Sequence, residues 1–565
     1  MVCVKHYALN SMENMRFDVN VICDPASLRD VYLPHFRQVL QEGGAETVMT
    51  AYNYVNDLHC SQHQLLVDQI LRNEWKCDDA VIVTDFVFGI RDAVESIKAG
   101  LDVEMPTRLL RDYELPRAIA KGTLNADALR NPGIRVLSGL LRHYARIAGT
   151  PSPLKDAIQC KEHRQLAQRV AAAGMVLLKN GPISTPLLPL SRHSTKTIAL
   201  IGKLHKSKQT GDSGSSNIND KDVVSPFQAF SQDNEVETVY YDGSNINEAV
   251  RIAKCADAVL LLVGLGPEDE GECVVSSSVE ANKVLPWYAR MSIVTWFGNL
   301  FAKMGRDAVG DRSHLGLSEL DERLAEAIGD AVGSKAVLCL AGSGTLVVPK
   351  LIRETFGGIL HTFYGGSRFG PALHDVIWGT AEPSGRLPFV IPEREEDLTA
   401  WDPGAKEVVY DRFWGYRYLQ KNGTMPAYPF GFGLGYGLSS VVDAHAPARL
   451  DSRFFEVDVT VKNDGTLGTY FAIQVYGGRQ GQSVGATDCQ LDYVNVLLGF
   501  RKVRIEALAI ASATVSCRVD PLCRWNEIKT RMELGKGYYE LRVSRFEGDP
   551  GSIICTAQAI GVISY

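Results

Sequence analysis

Two acidic residues stand where parallel α/β chains place reactive groups, at the carboxyl ends of strands. Asp85 closes the apolar run AVIVTD, and Glu270 lies in the loop PEDEGE just past AVLLLVG. That loop offers Glu268, Asp269, Glu270 and Glu272 around Gly271. Two carboxylates from separate parts of a chain can cleave a glycosidic bond. One acts as nucleophile or base and the other protonates the leaving oxygen, at about 5–5.5 Å separation in a retaining site. Position alone leaves the plain alternative open for each of them, a solvated loop carboxylate. The twelve cysteines include no C-x-x-C pair, so zinc and redox motifs find no support. Those in apolar runs, such as Cys339 in AVLCLAG, read as small buried hydrophobes.

These residues need elements to position them. VCVKHYAL, TVMTAYNYV, AVIVTDF and LDVEM read as strands, with ASLRDVYLPHFRQVLQEG, QLLVDQILRNEW and RDAVESIKAG as helices between them. Continuous apolar strands separated by amphipathic helices indicate βαβ units. Four strands before Gly133 fall short of a closed (β/α)₈ barrel, which takes eight strands and about 250 residues. Half a barrel and a smaller open sheet both fit the pattern. Residues 131–164 read as a helical linker. A second α/β block over 165–395 contains the strands KTIALIGKL, ADAVLLLVGLG, KAVLCLAGSG and GGILHTFYGG and the amphipathic helix LSELDERLAEAIGDAVG. A connecting segment, 396–445, leads to 446–565. There FFEVDVTVKNDG, GTYFAIQVYGG, ATVSCRVD and GYYELRVSR alternate apolar and polar residues, as in a small β-sandwich.

The bulk properties limit function. With 565 residues and a prior of about 150 per domain, three or four units are expected. Lys plus Arg is 59 against 66 Asp plus Glu, a net charge of −7, which argues against nucleic acid as partner. No apolar run reaches the roughly 18 residues of a membrane span. The richest, Val284–Phe301, is interrupted by Arg290, so no membrane partner is expected. MVCVKHYALN lacks the features of a signal peptide. The compartment stays open, and the sequon Asn422-Gly-Thr424 matters only in a secreted chain.

VIVTDFVFGIRDAVESIKAGLDVEMP resembles the nucleophile signature of family 3 glycoside hydrolases, a Ser/Thr-Asp-Trp/Phe triplet followed by AGLD-x-EMP. VKHYALNSMENMR resembles the family's Lys-His substrate-binding segment, and VMTAYNYVN with LLVDQILRNEW the segment leading to the nucleophile. MVLLKN, LLPL, GDSGSSN, DEGE, GDRSHLGLS and PSGRLPFVIP are similar to its second domain, in order. VVYDRFWGYRYL and YPFGFGLGY resemble the entry to a fibronectin III-like third. The resemblance implies a partial TIM-like barrel over 1–130, then an α/β sandwich domain with a mostly parallel sheet, then a fibronectin III-like β-sandwich. It implies a retaining exo-acting β-glucosidase of the β-glucoside or oligosaccharide class, with no metal or organic cofactor. Asp85 matches the nucleophile and Glu270, directly before Gly271, the acid/base, with Glu272 as runner-up. Lys5 and His6 match the pair that binds sugar hydroxyls, Tyr52 the tyrosine beside the nucleophile, and Phe86 the aromatic wall of the sugar site. Without the resemblance, Tyr52 and Phe86 read as core aromatics and Lys5 with His6 as a frayed terminus.

The chain also departs from the family. A barrel segment that precedes the Lys-His motif there, with an acidic residue and an arginine for the sugar, has no counterpart here. The expectation is a chain that starts partway through its barrel, leaves a strand edge open, binds glucose poorly and turns over slowly or not at all. FYGGSRFG replaces a Tyr-Pro-Gly-Gln-Glu-Gly-Gly common in the family. VLPWYARMSIVTWFGNLF, with Trp287 and Trp296, reads as a packed helix or, alternatively, as a lid or subunit contact. KHYALNS lacks the second His of the β-N-acetylglucosaminidase branch. A β-xylosidase or arabinofuranosidase, and a non-catalytic sugar-binding remnant, stay open. A nucleotide loop in IALIGKLHKSKQTGDSGSS is set aside because it lacks G-x-G-x-x-G and a correctly spaced Walker lysine.

Overall fold

Strands Cys3–Tyr7, Thr47–Thr50 and Val81–Thr84 pair in parallel in that order, and Val83 bridges to Val103 to add the LDVEM segment. The computed structural model describes residues 1–151, 157–211, 214–272, 310–481, 494–561 and 563–564. Trp287 and Trp296 lie outside the described residues. Two sequence runs divide where a single element was expected. TVMTAYNYV leaves the first sheet after Thr50, and Tyr54–Val55 joins a second sheet with Asn20–Ile22, Leu58–His59 and Glu407–Val409. Buried Asn53 makes the turn, bonding the Ala8 carbonyl at 3.2 Å. The first helical run breaks at Pro34, which has no N–H to continue the ladder. Before it the Leu33 N–H reaches back five residues to Leu28, and Pro34–Gln41 begins afresh.

The expected linker opens with a helix, Arg130–Ile147, that is bound to the first sheet. A Cβ on Gly139 would lie 3.1 Å from Val81, so glycine lets the helix approach the strand. Arg135 then reaches Asp102 at 2.7 Å and Arg142 reaches Asp79 at 2.8 Å.

The second block is a six-stranded sheet ordered Val176–Asn180, Gly358–His361, Ala336–Ala341, Ala258–Gly264, Thr197–Ile201, Glu237–Tyr241. All but Val176–Asn180 run parallel. Ala258–Gly264 is buried along its whole length. Val259, Leu261 and Val263 join one apolar layer and Ala258, Leu260 and Leu262 the other. Burial on both faces explains why this strand reads as an unbroken apolar run rather than an alternating one. Helix Glu319–Val332 packs on the first layer through Leu324, Ala325 and Ile328, its start capped by the Ser318 side chain.

The C-terminal region is a sandwich of two antiparallel sheets. One is Ser439–His445, Phe454–Asn463 and Ile510–Arg518. The other is Val496–Ile505, Thr469–Arg479, Gly537–Ser544 and Ile553–Ala559. Alternate residues such as Val457, Val459 and Val461 face the shared core. Arg518 pairs with Glu42 at 3.0 Å, and the Trp525 N–H donates to Asp30 at 2.8 Å, so the sandwich is fastened to the first unit. The fold class is thus the one the sequence leads to: barrel-type parallel strands, a mostly parallel α/β sheet and a β-sandwich.

Candidate functional site

The motif around Asp85 is held by carboxylates that do no chemistry themselves. Asp102, with a fully buried side chain, accepts from the Ile82 N–H (2.8 Å), Arg72 (3.0 Å) and Arg135 (2.7 Å). It thereby locks the LDVEM segment to the strand Val81–Thr84. Glu104 accepts from the N–H groups of Leu109, Leu110 and Arg111 and so caps helix Leu110–Ala120. Thr84 Oγ1 takes the Met105 N–H at 2.9 Å. The chain therefore leaves the strand at Asp85 in a set direction. Val87, two residues on, sits at φ 64°, a conformation that a β-branched residue rarely adopts. A Cβ at Gly89 would come within 2.3 Å of the Asp85 carbonyl oxygen. Such forced backbone is common where a scaffold aims a reactive group.

Asp85 is 8% exposed, and its Oδ2 lies 3.3 Å from His6 Nε2 on Cys3–Tyr7, the strand on the far side of Thr47–Thr50 in the same parallel sheet. Burial lowers the His6 pKa, with Lys5 and Arg16 adding to that and Asp85 opposing it. His6 is therefore neutral at neutral pH and can serve as a hydrogen-bond group rather than a cation. Tyr52 donates to the Phe86 carbonyl at 2.7 Å. Burial, and the charge of Asp85 beside it, push the Tyr52 hydroxyl well above its ordinary range.

Arg16 joins this rim to the second block. Its guanidinium lies over the adjoining Phe17 and Tyr52 rings, 4.9 and 5.0 Å from the ring centres, and pairs with Glu13 at 2.9 Å and Glu272 at 3.1 Å. Glu272 also accepts from the Ser215 N–H at 2.6 Å, and a Cβ on Gly214 would come within 2.5 Å of its side chain. Burial works against the ionised form of Glu272, but the bonds from Ser215 and Arg16 outweigh it and hold the carboxyl below its ordinary pKa. Asp311 adds a second fastening, accepting from the N–H groups of Glu13 and Asn14, each at 2.8 Å. Glu270, two residues before Glu272, faces a different set of partners. Tyr364 donates to it at 2.6 Å and Arg312 pairs with it at 3.1 Å.

Between these walls lies a cavity of about 1390 Å³. His6, Asn10, Arg16, Glu270, Glu272 and Tyr364 line it, as do Trp401 and Trp414 from the connecting segment. Of the six residues singled out from the sequence, His6 and Glu270 face the cavity. Asp85 meets it through His6, and Tyr52 through Arg16. Phe86 is 45% exposed at the turn after Asp85. Lys5 is exposed in the same strand as His6 and does not line the cavity. Sequence reading missed Arg16, Tyr364 and Arg312. Arg16 closes the quoted run MENMR, and Arg312 sits in GDRSHLGLS, so both were in view without a role. Tyr364 lies in the divergent FYGGSRFG, where nothing marked it. Among the described residues no group of three or more His, Cys, Asp or Glu is placed to hold a metal ion, and no helix is long and apolar enough to cross a membrane.

Residues 1–138 match the N-terminal domain of glycosyl hydrolase family 3, and residues 175–436 match its C-terminal domain. A thermostable beta-glucosidase B of Acetivibrio thermocellus is 29% identical over 84% of this chain and 59% of its own length. An exo-alpha-(1->6)-L-arabinopyranosidase of Bifidobacterium breve is 24% identical over 98% of this chain and 69% of its own. The crystal structure of a GH3 beta-glucosidase from Bifidobacterium adolescentis superposes with a TM-score of 0.80 at 25% identity, covering 99% of this chain and 76% of that one. The chain thus spans 59–69% of the length of these two curated relatives.

Proposed function

The chain belongs to glycoside hydrolase family 3, and from that premise we propose that it is a retaining exo-acting β-glucosidase that releases terminal non-reducing β-D-glucosyl units. The observation that carries the reading is the joint at the rim. Asp85 ends a parallel strand against His6, and the Arg16–Glu272 pair draws the acidic loop of the second sheet over the same edge.

Asp85 is the nucleophile. It attacks the anomeric carbon and forms a glycosyl ester while Glu270 protonates the leaving oxygen. Glu270 then takes a proton from water, which attacks the ester and frees the sugar. Glu272 is the weaker candidate for the acid, because its carboxylate is committed to the Arg16 guanidinium and the Ser215 N–H that fasten the loop to the rim, and these hold it below its ordinary pKa. His6 and Arg16 orient sugar hydroxyls, and Phe86 offers an exposed ring beside the nucleophile. The arabinopyranosidase relative makes a pentopyranoside the second substrate class to assay.

Trapping with a 2-fluoro-β-glucoside bearing a good leaving group, followed by peptide mapping, tests the assignment. The expected label sits on Asp85. A label on another residue, or no trapping together with no hydrolysis of aryl glycosides, refutes it.

A further inference from the structure

Helix Arg130–Ile147 has its polarity reversed. An amphipathic helix on a folded unit ordinarily buries its apolar stripe and shows its charges to water. Here Arg135, Gly139, Arg142 and Arg146 fall on one face by their three- and four-residue spacing, and that face meets the first unit. Asp102 holds Arg135 at 2.7 Å, Asp79 holds Arg142 at 2.8 Å, Glu46 pairs with Arg146, and Gly139 rests on Val81. The opposite face carries Ile134, Leu137, Leu140, Leu141, Tyr144 and Ile147, each between 45% and 62% exposed. A contiguous set of large apolar side chains turned to water marks an interaction surface.

The pattern on that face fits a copy of itself. Ile134, Leu137, Leu141 and Tyr144 follow the a/d spacing of a seam that packs into an identical seam. Over 18 residues the helix is about 27 Å long, so the seam runs for about five turns. The flanking positions hold Ser138 and Ala145 on one side and Leu140 and Ile147 on the other. None is charged, so two copies meet without setting like charges against each other. The helix contains no Asp or Glu, and three of its four arginines are already held by carboxylates of the first unit. A lipid surface calls instead for free basic side chains beside the apolar stripe. One helix pair is small beside the roughly 800 Å² per partner of a standard interface, so the expected dimer is weak, with a Kd on the order of micromolar.

We propose that the outward face of helix Arg130–Ile147 is a self-association surface, on which the same helix of a second copy seats across a twofold axis. The test is sedimentation velocity of the full chain from about 1 to about 100 μM. Beside it run a Leu137→Gln/Leu141→Gln double variant, a Leu141→Gln single variant, and Phe500→Gln as a control. Phe500 is likewise exposed but lies on the sandwich strand Val496–Ile505. The wild type and the control are expected to pass reversibly from the chain's 62.0 kDa to twice that mass as concentration rises. Leu141→Gln is expected to raise Kd about tenfold, and the double variant to stay a single chain throughout. Its far-UV circular dichroism is expected to match the wild type, because the replaced side chains are exposed. Should the double variant lose its fold, Leu141→Gln alone decides. A wild type that stays a single chain at about 100 μM, species that grow beyond two chains, or a dimer that the helix variants leave unchanged overturns the proposal. So does an equal loss of the dimer in Phe500→Gln, or a single-chain wild type that floats with phosphatidylcholine vesicles.

Discussion

Replacing Glu270 with Gln separates the two acidic candidates by chemistry rather than by position. The amide keeps an oxygen to accept from Tyr364, which donates at 2.6 Å, so the wall is preserved. It cannot carry the acid proton, and it removes the charge that faces Arg312 at 3.1 Å, where both side chains are largely buried. A positioned general acid contributes about 10²–10⁴ in rate, or about 2.7–5.4 kcal/mol at 1.36 kcal/mol per tenfold. That loss falls on kcat/KM for methyl β-glucoside, whose leaving alkoxide needs a proton. For 2,4-dinitrophenyl β-glucoside, whose phenolate leaves unaided, the expected loss is less than about tenfold, because proton donation contributes little to that transition state. Glu272→Gln acts differently. It weakens the grip on Arg16 over Phe17 and Tyr52, so both substrates slow by a similar factor. Initial-rate assays on the two substrates with both variants decide the matter. A leaving-group dependence that follows Glu272 instead of Glu270 would refute the reasoning.

Two further outcomes concern stability. Asp102→Asn leaves Arg72 and Arg135 facing a neutral amide in a buried site, and breaking such a pair costs about 3–5 kcal/mol. The denaturant midpoint of the first unit is expected to fall accordingly, and an unchanged midpoint would show that Asp102 does not hold the strand that ends at Asp85. Burial pushes His205 and His361 down to about 4, so the folded state binds fewer protons than the unfolded chain from about pH 6.5 down to that value. Their contribution is intact above pH 6.5 and is lost as pH falls towards 4, by up to about 3 kcal/mol each. Urea unfolding across that range is expected to flatten in His205→Gln and His361→Gln, and an unaltered slope would count against it.

Much of the architecture was legible locally. Ala258–Gly264 is buried on both faces and reads as an unbroken apolar run, while Phe454–Asn463 is half-covered and alternates. AGLD-x-EMP was legible as a motif, but its reason was not. Asp102 and Glu104 act by accepting bonds from Ile82 and from Leu109 to Arg111, pairings that a linear pattern does not display. TVMTAYNYV looked like one strand because its side chains have strand character throughout. Its division after Thr50 depends on Asn53 finding the Ala8 carbonyl, a partner 45 residues away.

The sequence by itself determined the order of the three units, the nature of their sheets, and the placement of Asp85 and Glu270 at strand ends, because side-chain periodicity and motif spacing act over a few residues. The tertiary structure alone decided that Arg16 meets Glu272 across 256 positions, that Tyr364 and Arg312 converge on Glu270, and that two indoles from the connecting segment share a cavity with them. Those meetings arise from how separate layers pack and bury their apolar faces, which brings distant polar groups together without any local signature.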